Sequence, residues 1–234
     1  ADIGLNVGNM DAGTAGYAAS SSLSTDGSTY YTSSVDIFLS SDFNATPDNF
    51  GLNPSEQGWS TMVHELGHSM GLAHPFDGGG LDVLPPEEDD INHSIMSYTN
   101  PNKIVTIEVT DNGSGSFGIE AITSALNAQL YSIYDIAALQ VIYGVNDQVN
   151  VGDDTYGFSF LDYKIETLWD AGGNDTIDVS ATTGINTIDL HSGSLNSLDQ
   201  HTVAEIIAIE QAAAAEITSG FESFIADTIN NTES

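Results

Sequence analysis

The sequence predicts an α+β protein in two units, a mixed unit over residues 1–144 and an all-β unit over residues 145–234. Three observations predict this organisation. Apolar and polar residues alternate near the amino terminus, which indicates strands, and apolar residues recur at helical spacing in two later segments. After Gly144 the chain consists of short apolar runs separated by Gly, Asn and Asp, which is typical of β-structure. With 40% hydrophobic residues, the chain can form a sizeable core.

Strands come first in the predicted order. Residues 1–7 and 35–39 alternate between apolar and polar side chains, and each is predicted to form a half-buried strand. Residues 16–23 are more polar and are predicted to form a strand between these two. In the second unit, strands are predicted over residues 155–161, 164–169, 176–179 and 185–190.

Two helices are predicted from apolar residues at helical spacing, one over residues 55–70 and one over residues 121–143. A loop over residues 41–53 precedes the first helix. Residues 76–93 are acidic and rich in Gly and Pro, so they are predicted to form a solvated connection. Residues 103–119 are predicted to form a hairpin around Asp-Asn-Gly-Ser-Gly.

The charge of the chain excludes several functions. The sequence has 34 acidic residues and only two basic residues, both lysines, so its formal net charge is −32. Nucleic-acid binding is excluded because the phosphates would repel such a surface, and adhesion to anionic membranes is disfavoured for the same reason. A surface this acidic indicates adaptation to salty water, calcium loading, or both.

Other compositional features bear on compartment. The chain has no cysteine, so disulfides, thiol catalysis and cysteine-zinc sites are excluded, whereas secretion is not. No run of eighteen apolar residues occurs, so we expect no transmembrane helix. No basic region followed by an apolar region opens the chain, so we expect no signal peptide in it.

The strongest functional pattern is the segment HELGHSMGLAHP. Two histidines four residues apart share one helix face, so His64 and His68 can bind one metal ion. Glu65 can take a proton from a water on that ion without binding the ion itself. Gly71 accepts a positive φ, so it can end the helix and turn the chain until His74 reaches the ion. Three imidazoles and an open position indicate catalytic rather than structural zinc.

The alternative is a helix with solvated histidines. The short HExxH pattern arises by chance and is weak evidence alone. The longer pattern also fixes the glycine and the third histidine, and each fixed position has a mechanical reason. The longer pattern therefore favours the metal site.

A methionine turn supports the same interpretation. The segment Ser94-Ile-Met-Ser-Tyr begins twenty residues after His74. The extended histidine motif followed by such a turn resembles the metzincin metalloproteases. Within that clan, Pro75 directly after the third histidine and Tyr98 two residues after Met96 resemble the serralysin family.

The resemblance implies roles for Met96 and Tyr98. In serralysins the methionine is an apolar floor beneath the three imidazoles, and the tyrosine is a movable fifth zinc ligand that helps to stabilise the oxyanion. Without the histidine motif, Met-Ser-Tyr would be ordinary core or turn sequence.

The resemblance also implies a metzincin catalytic domain, with a mixed twisted sheet and long zinc-site and C-terminal helices. The start of a calcium-binding β-roll-like domain is expected after it.

Two acidic turns in the second unit are candidate calcium sites. Calcium prefers six to eight oxygen ligands, and two loops together approach that number. For one loop alone, an ordinary Asx-rich turn is the alternative. The resemblance implies the following ligands: Asn150 through its carbonyl, Gly152, Asp154, Asp170, Gly172 and Asp175. A further family glutamate corresponds to Glu210 or Glu222, and the spacing does not choose between them.

Two departures from the family pattern concern the extent of the chain. The resemblance covers residues 1–190, yet serralysins carry a much longer stretch before the zinc motif. The glycine-aspartate nonapeptides of a full β-roll are reduced to one degenerate copy, in residues 172–177. We therefore expect a fragment, a processed form, or one segment of a larger precursor whose other segments could be partners.

The sequence as a whole predicts a secreted zinc-dependent endopeptidase that acts on protein or peptide substrates, with Glu65 as general base. The substrate is expected to add an extended strand beside residues 16–23. One alternative is a metzincin-shaped binding or surface-layer module with reduced catalysis. Another is a calcium-stabilised scaffold in which the zinc site is vestigial.

Overall fold

The computed structural model describes residues 2–11, 14–20, 23–25, 30–32, 34–40, 53–54, 56–78, 83–111, 117–159, 163–202, 204–206, 208–209 and 212. Within these residues the protein has the predicted mixed α+β composition. In the described ranges no helix has the length and apolar character needed to cross a membrane. The predicted loop over residues 41–53 lies outside the described residues except for its last position.

The elements follow one another in this order: β1 (Asp2–Gly8), β2 (Gly16–Ser20), β3 (Leu23–Thr25), β4 (Tyr30–Thr32), β5 (Ser34–Ser40), α1 (Gln57–Ser69), β6 (Lys103–Asp111), β7 (Phe117–Ala125), α2 (Ile133–Tyr143), β8 (Thr155–Ser159), β9 (Thr176–Ala181), β10 (Ile185–Thr187) and β11 (Ser197–Gln200).

A three-stranded mixed sheet in the order β1-β5-β2 supports α1. β1 pairs with β5 in parallel and β2 pairs with β5 antiparallel. The alternation predicted for β5 is confirmed, because Val35, Ile37 and Leu39 are buried while the residues between them are half-buried. In the described residues β2 forms one edge of this sheet, next to the helix that carries the histidine motif.

α1 is held at three points by residues that follow it far along the chain. Trp59 Nε1 donates to the Gln129 carbonyl at 2.5 Å. The Tyr131 hydroxyl donates to the Val63 carbonyl at 3.1 Å, and the Tyr143 hydroxyl donates to the Met70 carbonyl at 2.9 Å. These bonds run along the whole helix and fix it to α2 and the segment before it.

The end of α1 confirms the role predicted for Gly71. The helix stops at Ser69, and Gly71 follows with a φ of +97°. The Leu72 N–H then donates to the Gly67 carbonyl at 3.0 Å, which is the long bond of a Schellman turn. A residue with a side chain is strained at this φ, so glycine is the residue that lets the chain turn here.

The hydrophobic core lies between α1, the methionine segment and α2. Its buried members come from segments that are far apart in the sequence, and partly buried residues pack around them. The buried members are Val63, Leu72, Ile91, Ile95, Met96 and Ala128, and the partly buried ones are Trp59, Tyr131, Ala138, Leu139 and Ile165.

The helix predicted over residues 121–143 is wrong in its first part. Residues 117–125 form β7, which pairs residue for residue with β6 in an antiparallel hairpin. The hairpin prediction was correct but stopped at residue 119, because short apolar runs fit strand and helix periods equally well. α2 begins only at Ile133, where Ser132 and Asp135 form a capping box.

The second unit contains a parallel pair, β8 with β9, and an antiparallel pair, β10 with β11. The strand predicted over residues 164–169 is wrong, since only Ile165 forms a bridge, with Ala128. The strand predicted over residues 185–190 ends at Thr187. Residues 160–162, which include the end of the strand predicted over residues 155–161, lie outside the described residues. The Gln129 N–H donates to the Ile165 carbonyl, so this hydrogen bond joins the second unit to the segment between β7 and α2.

Candidate metal centre

Three imidazoles converge at the end of α1. His64 and His68 come from the helix, and His74 returns after the Gly71 turn, as the sequence predicts. The Nε2 atom of His74 lies 3.3 Å from His64 Nε2 and 3.0 Å from His68 Nε2. Tetrahedral zinc with Zn–N bonds of ~2.0–2.1 Å would separate its ligand nitrogens by about 3.3 Å. The three histidines thus form a group that can hold a metal ion.

The other ring nitrogens of the helical histidines are bound to acceptors. His64 Nδ1 lies 2.9 Å from the Ile95 carbonyl oxygen, and His68 Nδ1 lies 2.9 Å from the Leu72 carbonyl oxygen. A carbonyl can only accept, so each Nδ1 carries the hydrogen and each Nε2 keeps its lone pair for a metal. Burial lowers the pKa of His64 to about 4 and also lowers the pKa of His68. Both rings are therefore neutral at physiological pH, as metal ligands must be.

His74 is oriented by a tight turn over residues 74–77. The Asp77 N–H donates to the His74 carbonyl at 3.2 Å, with Pro75 at the second position, where proline is favoured. The Asp77 carboxylate accepts from His74 Nδ1 at 2.7 Å. The Leu84 N–H donates to the Pro75 carbonyl at 3.0 Å and closes the loop that follows.

Glu65 lies on α1 beside the histidines and faces β2. It is 6% exposed, and its Oε2 atom is buried without a hydrogen-bond partner among the described residues. Burial raises the pKa of Glu65 to about 7, while a hydrogen bond from the Ala18 backbone opposes this shift. β2 approaches closely, because a Cβ on Gly16 would lie 3.2 Å from Glu65 Cγ. Glu65 Oε2 is therefore free to accept a hydrogen bond from a bound molecule.

Met96 is buried against α1, the helix that carries His64 and His68. It is 1% exposed, and its sulfur would lie 2.6 Å from a Cβ placed on Gly67. Real Cβ atoms do not approach this closely, so the missing side chain at Gly67 lets the methionine pack against α1 between His64 and His68. The sequence analysis did not single out Gly67.

A buried carboxylate fixes the methionine segment to α2. Asp135 is 3% exposed and accepts from Ser94 Oγ at 2.6 Å, from the Ile95 N–H at 2.7 Å and from the Ser132 N–H at 2.9 Å. Burial raises the pKa of Asp135, and these three donors oppose the shift. Since the Ile95 carbonyl accepts from His64, Asp135 supports a candidate metal ligand through one intervening residue, Ile95.

Tyr98 places its hydroxyl at the same centre. The hydroxyl oxygen lies 3.0 Å from His74 Nε2, although the residue is 71% exposed. Partial burial of the hydroxyl, followed by the charges of Glu65 and Asp77, raises the pKa of Tyr98, so the phenol is protonated at neutral pH. The arrangement fits a fifth metal partner that solvent or a ligand can reach.

The two acidic turns of the second unit also meet. Asp154, Asp170 and Asp175 each offer a carboxylate oxygen, and these oxygens lie within 4.8 Å of one another. The Asp154 N–H donates to Asp175 Oδ1 at 3.0 Å, which ties one turn to the other. Asp170 accepts from the Tyr156 hydroxyl at 2.6 Å.

Backbone geometry explains why residue 173 in these turns is a glycine. Gly173 has a φ of +140°, and a Cβ there would lie 1.8 Å from the Gly152 carbonyl oxygen and 2.6 Å from Asp175 Oδ1. These two oxygens therefore lie close together against Gly173. Gly172 donates its N–H to Asp170 Oδ1, and the Asn150 side-chain amide donates to the Trp169 carbonyl.

The structure thus brings together the three histidines, Glu65 and Tyr98 in one place, and three of the predicted calcium carboxylates in another. Glu210 and Glu222 lie outside the described residues.

The sequence analysis missed four residues at the metal centre, and only two of them belong to a recognisable sequence pattern. Asp77 is an acid three residues after a candidate ligand, and Asp135 belongs to a Ser-x-x-Asp capping pattern. The other two are Gly67 and Phe76, whose ring stacks on the His74 imidazole.

Comparisons with known proteins agree with this geometry. The chain is 32% identical to the metallopeptidase AprA of Pseudomonas marginalis over 231 residues, which cover 89% of the chain and 45% of that protein. It is 34% identical to serralysin C and 33% identical to serralysin A of Dickeya chrysanthemi, covering 88% of the chain and 42% of each relative. No protein-family model matches. The chain spans less than half the length of these relatives, and it is similar to them over 88–89% of its own length.

Proposed function

We propose that the protein is a zinc-dependent endopeptidase that hydrolyses peptide bonds in protein substrates. The observation that carries the proposal is the convergence of three lone-pair-bearing Nε2 atoms and the Tyr98 hydroxyl beside the buried carboxylate of Glu65. His64, His68 and His74 would hold the zinc, and Tyr98 would be its fifth partner. The names of the relatives, metallopeptidase and serralysin, favour this activity over a binding module without turnover.

The proposed roles of the residues follow from their positions. Zinc, when bound, supplies Lewis-acid polarisation and lowers the pKa of a water to about 7. The Glu65 carboxylate would take a proton from that water and later deliver it to the leaving amine. Its pKa, raised by burial, suits a group that must both accept and release a proton near neutral pH. Tyr98 moves away from His74 and donates its hydroxyl hydrogen to the developing oxyanion.

We propose that β2 binds the substrate. β2 lies at an edge of the three-stranded sheet and pairs with β5 on its other side. An extended peptide can add to such an edge through backbone hydrogen bonds, which makes sequence preference broad. Gly16 and Ala18 place this edge against Glu65, so a bound peptide would pass close to the base.

The wider proposal concerns organisation and compartment. The metzincin-like catalytic domain would comprise residues 1–144, and a calcium-binding, β-roll-like domain would comprise residues 145–234. Secretion follows from the serralysin resemblance, and a surface with 34 acidic and two basic residues is suited to salty surroundings. Other segments of a longer precursor would be partners of this chain.

Metal analysis and a cleavage assay together test the proposed activity. The expected result is one zinc ion per chain and zinc-dependent cleavage of casein, lost with a chelator and restored by zinc. Zinc binding without cleavage would support the binding-module alternative instead. A chain that folds, binds no zinc and cleaves nothing would support the scaffold alternative.

Calcium is expected to stabilise the second unit. We propose that Asn150, Gly152, Asp154, Asp170, Gly172 and Asp175 bind calcium, because three carboxylates this close repel one another without a cation. A ligand that binds only the folded state at 100 times its Kd stabilises it by ~2.7 kcal/mol. This corresponds to a rise in Tm of about 5–10 °C for a chain of this size.

The measurement is a melting curve in calcium and in EGTA, with zinc buffered. Asp175→Asn should remove most of the calcium effect, whereas Asp147→Asn, which changes an exposed acid outside the cluster, should leave it intact. If verified calcium removal leaves the Tm of the parent unchanged, the acidic turns are not a calcium site.

A further inference from the structure

Phe76 forms an aromatic cluster with His74 and Tyr98. Its ring stacks on the His74 imidazole, with centroids 4.9 Å apart and planes 7° from parallel. It also meets the Tyr98 ring, with a centroid separation of 4.9 Å and a plane angle of 56°. The His74 and Tyr98 rings lie 4.7 Å apart, so each ring of this cluster contacts the other two.

Backbone hydrogen bonds restrain the main chain from which the Phe76 ring projects. Phe76 occupies the third position of the turn over residues 74–77, and the bond between the Asp77 N–H and the His74 carbonyl closes that turn. The Leu84 N–H and the Pro75 carbonyl hold the next part of the loop. The two hydrogen bonds therefore restrain the backbone at Phe76, and stacking on His74 and contact with Tyr98 place the ring.

Tyr98 has fewer restraints. It is 71% exposed, and its hydroxyl is 3.0 Å from His74 Nε2. Its ring contacts His64 with a centroid separation of 5.7 Å, together with His74 and Phe76. Among the ring partners in the described residues, Phe76 is the one that is not a candidate metal ligand. Phe76 is thus a lateral support for a side chain that otherwise depends on the metal centre itself.

We propose that Phe76 is a positioning residue that holds the Tyr98 phenol against the metal centre and thereby sets how easily Tyr98 leaves it. This inference rests on the proposed function, in which Tyr98 alternates between the metal and the oxyanion. An aromatic pair of this geometry shifts an equilibrium by about 2- to 10-fold beyond the effect of buried area. Removal of the ring should therefore favour the released position of Tyr98 by that factor.

Copper(II) in place of zinc gives a readout that does not depend on proteolysis. Imidazole sites bind copper well, and a phenolate bound to copper(II) produces a visible charge-transfer absorption. Added imidazole competes with Tyr98 for the metal and abolishes that absorption. In Phe76→Leu, the imidazole concentration that halves the absorption should fall about 2- to 10-fold relative to the parent.

Matched variants separate the ring contact from other effects. Phe76→Tyr keeps the ring and should restore the parental value. Val83→Ala removes an exposed apolar side chain from the same loop and should change nothing. Phe76 is itself 38% exposed, so Phe76→Leu should fold, and Phe76→Met provides a second ring-free variant. Tyr98→Phe should lack the absorption, which assigns it to this tyrosine.

Several outcomes would overturn the inference. These are an unchanged half-point in both ring-free variants, an absorption that is missing in the parent, an absorption that persists in Tyr98→Phe, and loss of copper itself from Phe76→Leu. The last result would mean that Phe76 acts through His74 alone. Cleavage of casein by the parent is scored separately, so failure of the endopeptidase proposal is distinguishable from failure of this one.

Discussion

Replacing Glu65 with glutamine is expected to lower turnover of casein by ~10²–10⁴-fold while zinc remains bound, which is the usual contribution of a general base. Glutamine has nearly the same shape as glutamate but cannot accept the proton. Glu65 is buried on α1, and its Oε2 atom has no partner among the described residues, so the substitution leaves no broken ion pair. Glu65→Ala should give a loss of similar size.

The control is Glu56→Gln, which makes the same chemical change just before the first turn of the same helix. That variant should retain the parental kcat/KM. Zinc content of both variants is measured by metal analysis, so a loss of activity can be separated from a loss of metal. Turnover at the parental rate by Glu65→Gln would remove Glu65 from the mechanism.

Replacing Asp135 with alanine is expected to destabilise the protein by about 3–5 kcal/mol. Each hydrogen bond to a charged acceptor contributes about 1.5–3 kcal/mol, and Ser94, Ile95 and Ser132 would all lose their partner in a buried place. Water entering the space would recover part of that energy. The Tm should fall on the order of 10 °C.

The same substitution should weaken zinc binding, because Asp135 holds the N–H of Ile95 and the carbonyl of the same residue orients His64. Asp135→Asn tests the charge separately, since the amide keeps the shape but can donate where the carboxylate only accepts. Asp147→Ala, an exposed acid after α2, is the control for charge loss. A Tm of Asp135→Ala within a degree or two of the control would show that the buried network contributes little.

The metal centre was predictable because its chemistry follows from local spacing. The helix period places His64 and His68 on one face, and Gly71 supplies the turn that returns His74. The roles of Met96 and Tyr98 were predicted from resemblance to a family; the structure places Met96 against Gly67 of α1 and the Tyr98 hydroxyl beside His74. Strand positions β1 and β5 also follow from alternation alone.

What the sequence could not supply was the pairing of distant segments. Alternation in β5 predicts a strand but does not reveal that β1 lies parallel to it. The apolar run in β7 fits two periods, and only its partner β6 decides between them. The acidic loop predicted over residues 76–93 to be solvated is instead organised in its last part, where Glu88 accepts from the Tyr134 hydroxyl and Asp90 contacts His93.

The three bonds that hold α1 have a consequence for the order of folding. They join Trp59 to Gln129, Val63 to Tyr131 and Met70 to Tyr143, across 70, 68 and 73 residues. Closing such long loops costs entropy before any contact forms, and contacts this distant slow folding. During synthesis all three histidines emerge long before residues 129–143. The helix that carries His64 and His68 therefore cannot be fixed in its final position until residues 129–143 have also left the ribosome.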